Sequence, residues 1–181
     1  MSIITILESV NSAYSIDGTL VDAKNIKERP RFYPDQNIPS RYRSEYSDYS
    51  NNRYSMSRGH LASDASFDHS QRSLHAVYVM SNIIPQEAQI NSSKNAWAGV
   101  EILGRKLAHK YGKINVLNGI EYSEKPKRIG HNQIAVPKGF WKMYYSDDMK
   151  YQRCFYFINE PITDEKKRIK DYEVGCSSLL K

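Results

Sequence analysis

Trp97, Val100, Leu103 and Leu107 recur at intervals of three and four, after Ser92 and Ser93 and ahead of Gly112. That spacing turns one apolar stripe toward a core. It predicts a helix of about four turns, with the serines as N-cap candidates and the glycine as its stop. The flanking segments read as strands instead: LHAVYVM (74–80), apolar on both faces, then 114–117, 133–136, 140–145 and 154–158. AYSIDGTLV (13–21) places Asp17-Gly18 between alternating apolar residues, a hairpin signal. DEKKRIKDY (164–172), after Pro161, predicts a short polar helix. One long helix among many strands gives an α+β class, a mostly antiparallel sheet with the helix packed on it. No repeat or composition break divides the chain, so 1–181 is expected to be a single domain.

Residues 23–57 carry no apolar periodicity and are rich in Arg, Tyr, Ser, Asn and Pro. So long an irregular stretch in a compact domain is functional or hides short elements. Charge is unevenly placed along the chain. Residues 24–60 hold eight bases against four acids and 104–142 nine against two, while 61–103 hold two bases and four acids. Two basic stretches around an acidic centre suit either a solvated surface or a polyanion groove whose central acids do chemistry or hold a metal. RYRSEYSDYSNNRYS (41–55) interleaves arginine with tyrosine, a composition that fits phosphate contact and base stacking as well as a polar surface loop. The longest apolar runs fall far short of the roughly 18 residues that cross a bilayer, so no membrane partner is expected. MSIITIL at the start lacks the basic flank of a signal peptide, which makes a cytoplasmic or phage-encoded protein the expectation, ahead of secretion from a longer precursor. With that setting, Cys154 and Cys176 are expected as reduced thiols.

Three segments fall in a fixed order: SRGHLASDASF (57–67), SNIIPQ (81–86) and INSSKNAWAGVE (90–101). Singly they read as a charged turn, a strand exit and a helix cap. Their order places a histidine at a strand end, then a second strand, then a helix whose start carries an amide oxygen. In this the chain resembles the DNA/RNA non-specific endonucleases, with their ββα-metal (His-Me finger) site and their succession DRGH, SN-x-x-PQ and N-x-x-x-W-x-x-x-E. The likeness includes RPRFYPD (29–35) and IAVPKGFWK (134–142) and runs over most of the chain. The RGHLASDASF run is similar to a small bacterial or phage-type branch.

The resemblance implies a metal-dependent, largely sequence-non-specific endonuclease that hydrolyses phosphodiester bonds of DNA, with RNA as a further candidate substrate. His60 would be the general base, since an imidazole titrates near neutrality. Asn91 would offer its side-chain oxygen to Mg²⁺, with Mn²⁺ as the alternative; Mg²⁺ keeps most of its waters and needs few protein ligands. Glu101 would hold the water shell, Arg58 would meet phosphate, Asn82 would line the site beside the histidine, and Arg29 or Arg31 would supply an upstream phosphate contact. Expected partners are DNA and RNA, with a second copy of the chain and an inhibitor protein as further candidates.

Two departures from the family pattern matter. Ser57 stands where the family has an acid before Arg-Gly-His, with Asp64 or Asp68 as candidate substitutes. Counting from Gln86 gives Asn91 as the metal asparagine, whereas counting back from Trp97 gives Ser93, with Asn95 third. An amide oxygen is the better ligand, so Asn91 is preferred; were one helix to carry both, Asn91 and Glu101 would lie about 80° apart. The competing reading is a catalytically impaired nucleic-acid-binding protein of the same fold.

Overall fold

A computed structural model describes residues 10–21, 23–162 and 168–179. Along the chain, β1 (Val10–Asp17) precedes a long stretch of turns, then β2 (Ser57–His60), α1 (Gln71–Val77), β3 (Ile83–Gln86) and α2 (Ala96–Tyr111). There follow β4 (Lys113–Glu121), the short strands β5 (Arg128–Ile129) and β6 (Ile134–Ala135), β7 (Gly139–Tyr145), β8 (Gln152–Ile158) and β9 (Glu173–Val174). An antiparallel sheet in the order β1-β4-β7-β8-β9 is the main layer, β2 pairs with β3, and β5 pairs with β6. The α+β class, with one long helix on an antiparallel sheet, is the one the sequence indicated.

The three-and-four repeat makes α2. Ala96, Trp97, Val100, Gly104, Leu107 and Ala108 are buried along it, and Gly112 ends it at φ +76°, a conformation that favours glycine. Trp97, Val100 and Leu107 share a core with Ile114 and Val116 of β4, Phe140 and Tyr144 of β7, and Phe155 and Phe157 of β8. Each such side chain contributes about 1.5–3 kcal/mol by leaving water. Gly104 is needed for contact: an added Cβ would stand 2.6 Å from the Tyr144 ring, whose hydroxyl donates to the Val100 carbonyl at 2.9 Å. The N-cap is Asn95, without a side-chain cap bond, so the expected serine caps are not used. Because α2 starts at Ala96, it does not carry Asn91, and the angular estimate for a shared helix does not apply.

Two elements differ from expectation. LHAVYVM is not a strand: α1 covers Gln71–Val77, with Ser70 Oγ accepting from Ser73 N. Leu74, Val77 and Tyr78 are buried at helical spacing, and a short apolar run does not by itself distinguish the two periods. Asp17-Gly18 is not a hairpin turn, for β1 pairs with β4 nearly a hundred residues on. Gly18 instead lets the chain pass the end of α2: its N–H donates to the Gly112 carbonyl at 2.8 Å, and a Cβ there would lie 2.3 Å from the Ala108 carbonyl oxygen.

The irregular 23–57 stretch does contain short elements, 3₁₀ turns at Ser40–Tyr42 and Tyr46–Tyr49. In 164–172, Ile169–Tyr172 forms a 3₁₀ turn, whereas 164–167 lie outside the described residues. The cysteines are bonded to each other and not reduced, with Cα atoms 5.2 Å apart. Pairing of β9 with β8 sets Val174 opposite Cys154 and so returns Cys176 to it. No helix among the described residues is long and apolar enough to cross a membrane.

Candidate active site

Strand alternation points Arg58 and His60 to one side of β2 and Gly59 to the other. Gly59 is pressed against buried Gln86 of β3, where a Cβ would stand 2.2 Å from its side-chain oxygen. His60, opposite Ile83 at the end of the β2–β3 pair, the loop after it, the turn segment before α2 and α2 itself enclose a cleft of about 310 Å³. His60, Asp64, Asn91, Ser93, Trp97 and Glu101 line it. The sequence-predicted histidine, asparagine and glutamate therefore meet in one place, 41 residues apart in the chain from His60 to Glu101.

The His60 ring lies against Phe32 (centroids 5.3 Å apart) and Tyr78 (4.8 Å, edge-on). Its Nε2 is shielded and makes no hydrogen bond among the described residues. Burial drives its pKa down to about 4, Asp64 pulls it back, and Arg29 lowers it further. The imidazole is thus neutral throughout the physiological range, with a lone pair available. Glu101 behaves oppositely. Burial raises its carboxyl to about 7, while Lys142 lowers it, Asp64 raises it and Arg105 lowers it.

Asn91 lies exposed in the turn segment before α2, its Nδ2 donating to the Arg58 carbonyl at 3.5 Å, which leaves the amide oxygen for a cation. Among the described residues no three His, Cys, Asp or Glu side chains gather as a metal cage. One amide oxygen with a carboxylate in the same cleft does fit a cation that keeps its water shell. Ser93 lines the cleft too, so the rival candidate is present beside Asn91.

Arg58 lays its guanidinium 4.1 Å over the Tyr46 ring and donates to the Tyr46 hydroxyl at 3.3 Å. Arg31 shares with Arg58, Phe32 and Tyr46 a hollow of about 510 Å³ next to the cleft. Arg29 is spent internally: it bonds Asp64 at 2.9 Å, Asp68 at 3.1 Å and the Ile26 carbonyl. Of the two arginines, Arg31 is the one that lines the hollow shared with Arg58. Asn82 is not among the cleft-lining residues. Its side chain accepts from Ala62 N (2.9 Å) and donates to the carbonyls of Ala62 (3.1 Å) and Val77 (2.8 Å). It clamps the turn after His60 to the end of α1, one layer behind the cleft.

Sequence reasoning named Asp64 only as a substitute for the acid absent at position 57, and it missed Arg105 in the cleft wall and above all Lys142, which is 0% exposed. Arg105 carried a signal, standing four residues after Glu101 on one helix. The two basic stretches abut: fully buried Asp48 accepts from Asn132 N (2.9 Å), Asn132 Nδ2 (3.0 Å) and Glu45 N (2.9 Å), and Lys127 stands 5.2 Å over the Tyr54 ring.

Residues 8–180 match the DNA/RNA non-specific endonuclease family. Among similar proteins, human mitochondrial Endonuclease G is 29% identical over 161 residues, 82% of this chain and 52% of that one. The mitochondrial nuclease of Saccharomyces cerevisiae is 28% identical over 178 residues (87% and 53%), and Nuclease 1 of Schizosaccharomyces pombe 27% over 163 (81% and 50%). The chain spans about half the length of these relatives. A crystal structure of an EndoG/EndoGI complex shares the fold at TM-score 0.74 and 24% identity, over 92% of this chain and 73% of that one. On the match that covers nearly all of it, the chain belongs to the DNA/RNA non-specific endonuclease family.

Proposed function

We propose that the chain is a divalent-cation-dependent endonuclease that hydrolyses phosphodiester bonds of DNA and RNA with little regard to sequence. The observation that carries this is the convergence of His60, Asn91 and Glu101 on one cleft, with the imidazole nitrogen desolvated and unengaged. Neutral His60 accepts the proton of the attacking water. Arg58, held flat on Tyr46, and Arg31 beside it bind the phosphate oxygens and orient the strand. Asn91 would hold the cation, Mg²⁺ with Mn²⁺ as the alternative, and Glu101 would accept hydrogen bonds from water around it. When bound, the cation supplies Lewis-acid stabilisation of the phosphoryl charge and the leaving oxygen. Asn82 acts behind these residues by fixing the turn that carries the histidine. The RGHLASDASF run supports a place in the small bacterial or phage-type branch, while the relatives named above are mitochondrial nucleases of human and two yeasts.

Plasmid cleavage tests this, with Mg²⁺ and with chelator. Wild-type protein should cleave only with the cation, and His60→Ala should lose roughly 10²–10⁴-fold in rate while keeping its thermal transition. Retention of more than a tenth of the activity would remove His60 from the mechanism. A wild-type chain that binds nucleic acid but does not cut it would favour the impaired-binder reading.

A further inference from the structure

β7 reads GFWKMYY, and six of its seven residues are buried, Lys142 among them at 0% exposure. Lysine is almost never fully buried unless its charge is answered. Here Phe140, Trp141 and Met143 surround it in sequence, and a methionine would fill the same stem volume without desolvating an ammonium. What the ammonium touches suggests why it is there. Nζ donates to the Leu61 carbonyl at 2.7 Å and to the Tyr14 hydroxyl at 3.2 Å, and it sits 4.8 Å over the ring of Trp97. Leu61 directly follows His60. Trp97 stands one turn before Glu101 on α2 and lines the same cleft. Opposite Lys142 on β4 is Asn118, fully buried with neither amide atom hydrogen-bonded among the described residues. A polar layer of Lys142, Tyr14 and Asn118 therefore lies under the cleft floor, touching the strand end of one site residue and facing the other.

We propose that Lys142 is a positioning residue for the cleavage reaction: its ammonium fixes the strand end that presents His60 and supplies the buried positive charge opposite the Glu101 carboxylate. The groups facing Glu101 are Lys142 and Tyr144 from β7, Tyr14 from β1, Asp64 and Ser63 from the loop after β2, and Arg105 from its own helix. Asp64 is an acid and Tyr14 a neutral phenol, and Arg105 exerts less pull on Glu101 than Lys142 does. Without Lys142 the carboxyl would be mostly protonated around neutrality, a neutral acid that accepts hydrogen bonds from water more weakly than the carboxylate. Lys142 thus acts through Glu101 and His60 and touches no substrate. Its consequence for rate rests on the nuclease reading, but the charge relation does not.

The test follows the Glu101 side-chain carboxyl by ¹³C NMR across pH in the metal-free protein, for wild type, Lys142→Met and Lys142→Arg. Lys142→Met should move the Glu101 titration up by at least about one pH unit, the scale of losing a nearby opposite charge. Lys142→Arg, which keeps the charge, should leave it near the wild-type midpoint. In plasmid cleavage at pH 7, Lys142→Met should lower kcat about fivefold with KM little changed, and raising the pH to 9 should restore it, because a one-unit shift cuts the ionised fraction from about half to about a tenth. A Glu101 midpoint unmoved in Lys142→Met, or a rate loss equal at every pH, would overturn the proposal and leave the lysine a packing residue. Should Lys142→Met fail to fold, the wild-type titration still decides. Glu101 and the Lys142 ε-carbon should then each register the other's step, as coupled groups do, and two independent curves would refute the idea. Failure of the nuclease reading shows separately, as absence of cleavage by the wild type, and the titration decides on Lys142 in either case.

Discussion

Acidification should destabilise this protein through His60 and stabilise it through Glu101, and the two effects should nearly cancel. His60 falls from its ordinary 6.5 to about 4 in the fold. Between those values the unfolded chain takes up a proton that the folded chain refuses. Stability from this group is therefore whole above pH 6.5 and lost as pH falls to 4, by about 3 kcal/mol at 1.36 kcal/mol per unit. Glu101 rises from 4.5 to about 7, so the folded chain holds a proton the unfolded chain has released. Its contribution has the opposite sign: stability is gained as pH falls from 7 to 4.5, again by about 3 kcal/mol. Lys142 titrates near 8 and stays charged across this window.

The wild type should therefore show little pH dependence between 4.5 and 6.5, and single substitutions should expose the two halves. His60→Gln leaves Glu101 alone, so its urea midpoint should climb as the pH falls from 7 to 4.5. Glu101→Gln leaves His60 alone, so its midpoint should drop over 6.5 to 4. The assay is urea unfolding in EDTA at half-unit pH steps, with each variant compared with wild type so that the surface acids with lowered pKa, such as Asp147 and Glu173, cancel. If His60→Gln follows the wild-type curve, the imidazole is solvated and titrates normally, and the case for a desolvated neutral base collapses.

Asn91→Ala should raise the Mg²⁺ concentration needed for half-maximal cleavage and cut the maximal rate, whereas Ser93→Ala should do neither; a metal titration of both variants reads this directly, and the reverse outcome would hand the ligand role to Ser93. Exchanging Lys125, Lys127 and Arg128 for glutamate should weaken DNA binding and flatten its salt dependence, since these residues border the arginine–tyrosine stretch that Asp48 holds in place; an unchanged slope in filter binding would put them outside the groove. Cys176→Ser should cost about 3 kcal/mol, the loop-entropy value for a bridge spanning 22 residues, measured by urea unfolding beside a free-thiol count; two reactive thiols in the native wild type would refute the bridge.

The helix and the strands β4, β7 and β8 were readable because each declares itself within a dozen residues. The α2 stripe repeats at three and four, and β7 and β8 are mostly apolar and aromatic, β7 interrupted by Lys142 alone. Pairing was not readable in the same way. The partner of β1 is almost a hundred residues distant, and a local Asp-Gly pair looked like a turn although its glycine serves a contact with the end of α2. Composition also misled at the cysteines, because the bridge depends on the β8–β9 register, which the sequence does not display. In the site, the ordered motifs located His60, Asn91 and Glu101 but not their neighbours. An asparagine that lines a cleft and one that clamps two carbonyls are written with the same letter, and Asn82 is the second kind.

Ser57 is where the structure changes the argument most. The family pattern has an acid before the arginine, and its loss suggests an imidazole without a carboxylate brace. Asp64 and Asp68 do stand nearby, but both are committed to Arg29, and Asp64 also accepts from the Tyr78 hydroxyl at 3.0 Å. Asp64 raises the His60 pKa and Arg29 lowers it, so the ion pair offers the histidine opposed influences. What is left is desolvation, from Phe32 and Tyr78, whose rings also pack on each other at 4.8 Å. Here aromatic walls, and not a carboxylate, keep the imidazole in its basic form. A site built this way tolerates serine at position 57, because nothing in it asks that side chain for a charge.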